Sequence, residues 1–187
     1  LFFFINIKKK YYFLKKKKFL KNSKKHQQPA TLNVKSNLDK LTLNDMQVFR
    51  FNFRHEKNQK ILYLHGGYNT LQPSPFHWRL LDKLTLNTLH EVVLPIYPKS
   101  PDYHYLETFK AIRDVYNQLV EEVGASNIVM MGDGSGGGLA LSFVQSLIND
   151  NQEVPRKLFL LSPLLDATLT NPNITKTLEE NDILVSR

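Results

Sequence analysis

Five of the eight glycines in this chain fall between residues 132 and 138, inside the run 130–141 (MMGDGSGGGLAL). Just before it, 127–131 (NIVMM) is a continuous apolar run of strand length, and after it Leu139, Phe143, Leu147 and Ile148 recur at helical spacing through residue 149. A strand that becomes a helix through so many glycines is a strong constraint, because side chains in the turn would hold the two backbones apart. The rest of the chain repeats the alternation. Residues 46–53 (MQVFRFNF) alternate apolar and polar, 60–64 form a second strand that ends on His65, Gly66 and Gly67, 91–95 (EVVLP) is a short buried strand, and 157–161 (KLFLL) is a further strand. A helix is predicted over 76–89 after the Pro73 and Pro75 loop. Another follows from the stripe Leu106, Phe109, Ile112, Val115, Leu119 and Val123, ending near Gly124. Strands alternating with helices through short loops predict an α/β fold, a mostly parallel sheet with helices on both faces. The segments 61–64, 91–94, 127–131 and 157–160 are expected to run parallel, and no internal repeat is present.

The net charge of +8 would favour an anionic partner if it were spread over the fold. It is not. Residues 1–28 hold ten lysines and no acid, which leaves 15 basic against 17 acidic residues in 29–187. The folded part therefore has no electrostatic reason to bind nucleic acid. These counts divide the chain into a basic, low-complexity leader (1–28), expected to be disordered, and a single domain (29–187). No stretch of the leader reaches the ~20 apolar residues of a membrane-spanning helix, and its order of charge and apolar runs is not that of a secretory signal. Peripheral contact with an anionic membrane surface is one use for such a leader; a disordered tail or non-native leader is the reading preferred. The absence of cysteine excludes disulfides, zinc-thiolate sites and thiol nucleophiles.

The glycine-crowded turn suits two kinds of chemistry. One is a nucleophile elbow, which holds a residue in a strained conformation between small neighbours. The other is anion binding at a helix N-terminus. No Gly-Lys-Ser/Thr follows, so it is not a phosphate loop, and the turn comes late in the alternation for a dinucleotide fingerprint. The second motif, His65-Gly66-Gly67-Tyr68, closes an early strand, where backbone amides can face a developing oxyanion.

Four landmarks in this order resemble the hormone-sensitive-lipase group of the α/β-hydrolases. ILYLHGGY (61–68) is similar to that group's HGGG loop, and VVLPIYPKSP (92–101) to its tyrosine- and proline-containing segment. MGDGSGGGLAL (131–141) is similar to its GDSAGG elbow, and LSPLLDATLTNP (161–172) to its SP-x-x-D segment. The resemblance implies an α/β-hydrolase fold and hydrolysis of small-molecule carboxylic esters, with no metal and no organic cofactor. It places the family's catalytic aspartate and histidine after the segment matched by 181–184, so it also implies a partial domain with the C-terminal strands missing.

Within the elbow of Gly132, Asp133, Gly134, Ser135 and Gly136, the ungapped match puts the family's nucleophilic serine on Gly134. Ser135 falls one residue later. Ser135 is then either a displaced nucleophile or a small residue whose backbone amide serves the oxyanion hole. Sterics favour Gly134 at the apex, because the other frame forces Asp133 into the tight turn. The resemblance implies that Gly67 and Tyr68 supply oxyanion amides while Gly66 gives the loop its freedom; Asp133 is expected to orient the elbow or nearby loops rather than to do acid-base work. His65 is expected to hydrogen-bond locally; His26, His55, His77, His90 and His104 precede the elbow and read as ordinary surface or loop histidines. Asp166 and Asp182 are not expected to be catalytic. Trp78, Phe76, Tyr97 and Tyr103 suit an acyl pocket or core packing equally.

Overall fold

The computed structural model describes residues 26–30, 32–52 and 59–168. The chain divides into two compact units, one of them Lys25–Leu164. Of the other, only 165–168 are described; there Asp166 accepts the backbone N–H of Thr168 at 2.9 Å. The leader before residue 26, His55 and Asp182 lie outside the described residues.

The larger unit is a six-stranded sheet in the order β1-β2-β4-β3-β5-β6. Its strands are β1 (Asn37–Leu43), β2 (Met46–Asn52), β3 (Lys60–Leu64), β4 (Glu91–Pro95), β5 (Ile128–Asp133) and β6 (Lys157–Leu161). The helices are α1 (Pro75–Thr88), α2 (Tyr105–Val123) and α3 (Gly134–Asn149). The four strands β4, β3, β5 and β6 run parallel, as the alternation predicts, and β2 and β1 add on antiparallel beside β4.

β1 is absent from the sequence reading. Its NLDKLTL shows no strict alternation, and the strand is mostly exposed. What places it is the turn that follows: Asn44 and Asp45 both take positive φ (46° and 63°), the primed two-residue geometry that matches strand twist, and Leu43 pairs with Met46 across it. Two boundaries also move. β5 runs on to Asp133, and α3 starts at Gly134, ahead of the apolar stripe that begins at Leu139. Leu106 and Ile148, assigned above to buried stripes, are 64% and 58% exposed, each near a helix end where the apolar face has turned away from the sheet.

The two faces of β3 show how the sheet separates two cores. Leu62 and Leu64 join Val93, Ile112, Val115, Leu119, Met130 and Phe143 under α2 and α3. Ile61 and Tyr63 join Phe49, Phe51, Trp78, Leu81, Val92 and Leu94 under α1. Trp78 is fully buried and tilted against Phe49 and Phe51, so it belongs to the core and not to an acyl pocket. Its indole N–H donates to His26 Nε2 at 3.1 Å, and the two rings stack, so packed chain reaches back at least to His26. Burial, then the positive charges of Lys99 and Lys40, push His26 down to about 4.

A four-residue ion network ties the first residues of β3 and β4 to β2 and the end of α2. Arg50 contacts Glu91 and reaches Glu122 at 2.5 Å; Lys60 lies 2.8 Å from Glu91 and 2.7 Å from Glu122. Burial alone would raise the Glu122 carboxyl, but hydrogen bonds and charge from Arg50 and Lys60 hold it at about 2. The folded value is depressed, so this contribution is complete above the ordinary glutamate range and fades as pH falls toward 2. Removing the buried member should cost most. Glu91→Ala leaves two cations facing one carboxylate and is expected to lower the unfolding free energy by about 3–5 kcal/mol in urea titrations; a change within experimental error would show that solvent screens the network.

Candidate active site

Parallel pairing brings the two glycine motifs side by side. Leu64 at the end of β3 is in register with Gly132 on β5, so the loop after β3 and the turn after β5 leave the sheet at the same carboxyl-end edge. α3 then packs down between them. A side chain at Gly136 would collide with the Leu64 carbonyl oxygen and stand 2.6 Å from the His65 carbonyl group. Only glycine permits that approach.

Residue 134 is the apex of the turn. Asp133 is extended (φ −118°, ψ 149°), Gly134 is left-handed (φ +50°), and the helix begins there. A Cβ built on Gly134 would have nothing within 4 Å, so the position is conformationally strained for a side chain but spatially open. Gly132 differs, since a Cβ there would lie 2.5 Å from the Gly136 carbonyl oxygen. Ser135 is 7% exposed in the first turn of α3, and its Oγ accepts the Asn69 backbone N–H at 3.2 Å.

The facing loop is bent sharply. Gly67, Tyr68 and Asn69 have consecutive positive φ values of 131°, 57° and 52°, and the Gly67 carbonyl accepts the N–H groups of Thr70 and Leu71 at 3.0 and 2.9 Å. Two non-glycine residues in the left-handed region are costly, so the loop must be held from outside.

Asp133 provides much of that hold. Its Oδ1 accepts the Gly66 N–H and the Tyr63 hydroxyl, each at 2.8 Å, and its Oδ2 lies 3.2 Å from His77 Nε2. His77 Nδ1 accepts the Ser74 backbone N–H at 2.9 Å. A main-chain N–H can only donate, so a neutral His77 carries its proton on Nε2 and gives it to Asp133. Burial raises the Asp133 carboxyl; the hydrogen bonds from His77, Gly66 and Tyr63 outweigh it and hold the group below the ordinary aspartate value. Burial and the Asp133 charge push the Tyr63 hydroxyl well up, so it stays a donor.

His65 lies fully buried beneath the loop. Its ring stacks on Tyr97 at 4.8 Å, its Nδ1 sits 2.7 Å from the Gly66 carbonyl, and the Tyr97 hydroxyl donates to the His65 carbonyl at 2.5 Å. Burial, then the Lys99 charge, lowers the imidazole well below its ordinary value, so the ring is neutral. Local hydrogen bonding is thus the role of His65.

The sequence reading missed His77, Tyr63, Lys99 and Asn69 as parts of this cluster. His77 is no ordinary loop histidine, yet no spacing connects it to a carboxylate 56 residues away. Tyr97 is buried against His65, whereas Phe76 and Tyr103 are 77% and 49% exposed. Among the described residues, no group of three or more histidines and carboxylates is placed to hold a metal, and no helix is long and apolar enough to cross a membrane.

Residues 61–187 match the model of a family described as having the alpha/beta hydrolase fold. This chain belongs to that family. Within the α/β-hydrolases it is similar to a triacylglycerol lipase of Mycobacterium tuberculosis, 32% identical over 67% of this chain and 29% of the lipase. An esterase of Acinetobacter venetianus is 34% identical over 68% of this chain and 42% of the esterase. Among solved structures, a Staphylococcus aureus protein provisionally classed as an esterase superposes with a TM-score of 0.86 at 66% identity, covering 91% of this chain and 58% of its own. A hormone-sensitive-lipase homologue from a metagenome library gives 0.72 at 25% identity, over 81% and 52%. The chain therefore spans less than half the length of the two curated relatives, and its place is with the hormone-sensitive-lipase-like esterases and lipases of the α/β-hydrolase fold.

For this α/β-hydrolase, the hydrogen bonds at Asp133 predict its acid limb. The folded carboxyl is depressed, so its contribution is present above the ordinary aspartate value and is lost as pH falls through the lower folded value. Asp133→Ala strands the Gly66 N–H and the Tyr63 hydroxyl and is expected to cost about 2–3 kcal/mol. It should also flatten the dependence of urea stability on pH below about 4; an unchanged acid limb would show that Asp133 does not hold the loop in solution.

Proposed function

We propose that this chain carries the elbow and the oxyanion-binding loop of a hydrolase for small, relatively apolar carboxylic esters, whose chemistry is a serine acyl-enzyme. The observation that carries the reading is the open, left-handed apex at residue 134 beside the 65–68 loop at the carboxyl ends of the strands. In such a reaction a serine hydroxyl attacks the ester carbonyl and its proton passes to a general base. Backbone amides hold the oxyanion, the alcohol departs, and water then releases the acid from the acyl-enzyme. In this site the amides of Gly67, Tyr68 and Ser135 serve the oxyanion, Gly66 gives the loop its bend, and Asp133 holds Gly66. The relatives' descriptions as triacylglycerol lipase and esterase support carboxylic esters as the substrate class.

The nucleophile's place is residue 134, which in this sequence has no hydroxyl. Ser135 is buried in the helix and its Oγ is already engaged by Asn69, which supports a role for its amide rather than its hydroxyl. A polypeptide extended with the aspartate and histidine that the family resemblance places after 181–184 tests both points. With a serine-directed fluorophosphonate, we expect little labelling of the unmodified sequence and a clear gain, with turnover of a short-chain aryl ester, in Gly134→Ser. Strong labelling of the unmodified protein that Ser135→Ala abolishes would make Ser135 the nucleophile. Neither labelling nor turnover in any variant would sink the hydrolase reading and leave a site that binds without cleaving.

A further inference from the structure

Lys99 stands on the loop after β4 and is only 8% exposed. Its Nζ donates to the Tyr97 carbonyl at 2.8 Å, lies 3.4 Å from His65 Nε2, and sits 4.5 Å from the centre of the Tyr97 ring. Among the described ion pairs none includes Lys99, so its burial has no carboxylate to offset it. That burial pushes the amine down to about 7. A methionine or leucine would fill the same space without the desolvation cost, so the position has a use for the amine's donors.

The ring it faces shows what that use is. His65 is buried and neutral, so it carries one ring proton. Its Nδ1 lies 2.7 Å from the Gly66 carbonyl, which can only accept, so the proton is on Nδ1. The lone pair on Nε2 then requires a donor inside the protein, and Lys99 Nζ is the donor facing it. The Gly66 carbonyl belongs to the same peptide as the Gly67 N–H. In a trans peptide the two point in opposite directions, so whatever fixes the carbonyl also aims the amide.

We propose that Lys99 is a positioning residue: by donating to His65 Nε2 it holds His65 as the Nδ1–H tautomer, which grips the Gly66 carbonyl and so aims the Gly67 amide. Its value for ester chemistry rests on the reading of Gly67 as an oxyanion donor, but the tautomer itself does not. The alternative is that Lys99 only fills space with its aliphatic stem.

The test uses the full chain labelled with 15N-histidine and 15N-glycine. In the unmodified protein, long-range proton–nitrogen spectra should show His65 protonated at Nδ1 and bare at Nε2 from about pH 6 to 9. Lys99→Met should shift the Nε2 resonance toward that of an unbonded nitrogen or mix the tautomers, and should speed exchange of the Gly67 amide about tenfold. Lys99→Gln, which keeps a donor without a charge, should restore the unmodified pattern. A His65 protonated at Nε2 in the unmodified chain would overturn the proposal, and that measurement stands even if Lys99→Met fails to fold. A well-folded Lys99→Met protein with unchanged His65 and Gly67 signals would overturn it too. An intact Nδ1–H tautomer alongside a failed fluorophosphonate assay would remove the hydrolase reading and leave the positioning role in place.

Discussion

The carboxylate of Asp133 joins its own turn to a loop that the chain makes 67 residues earlier. One oxygen receives the Gly66 amide and the Tyr63 hydroxyl, and the other faces His77 at the start of α1. Three consecutive left-handed residues, Gly67 to Asn69, would relax without such an external hold. The hold in turn requires β3 and β5 to be adjacent and parallel, with Leu64 level with Gly132. A one-residue slip would turn Tyr63 to the opposite face of the sheet and take its hydroxyl away from Asp133.

The sheet keeps its charges apart by function. At the amino ends of β3 and β4, Lys60, Glu91, Arg50 and Glu122 pair densely, so that end is cross-linked by ions. At the carboxyl ends hydrogen bonds replace that dense pairing: His65 is held neutral, Tyr63 and Tyr97 stay protonated, and Asp133 is charged within hydrogen bonds. The proposed oxyanion role gains from this arrangement, since further carboxylates there would compete for the same backbone donors.

The α/β class and the order of elements were legible because periodicity and glycine placement are local properties. A continuous apolar run at 127–131, a stripe through Ile112, Val115 and Leu119, and glycine at 132, 134 and 136 each follow from a few adjacent residues. β1 was not legible, because an exposed edge strand carries no alternating burial and only its Asn44-Asp45 turn marks it. The partners of the site were illegible for a related reason. Tyr63 reads as one more apolar strand residue, His77 as a surface histidine and Lys99 as a loop lysine, since each meets its partner only across the fold.

The sequence by itself determined that a strand must turn tightly into a helix at 132–136, that a second glycine loop follows an earlier strand, and that the frame puts glycine at position 134. These are consequences of covalent order and of where a side chain is lacking. Only the tertiary structure decided that a side chain at residue 134 would meet open space, that the Ser135 hydroxyl faces Asn69 of the opposite loop, and that Asp133 holds Gly66 while Lys99 faces His65. Those facts depend on register, burial and hydrogen-bond direction between segments 30 or more residues apart, and no local pattern encodes them.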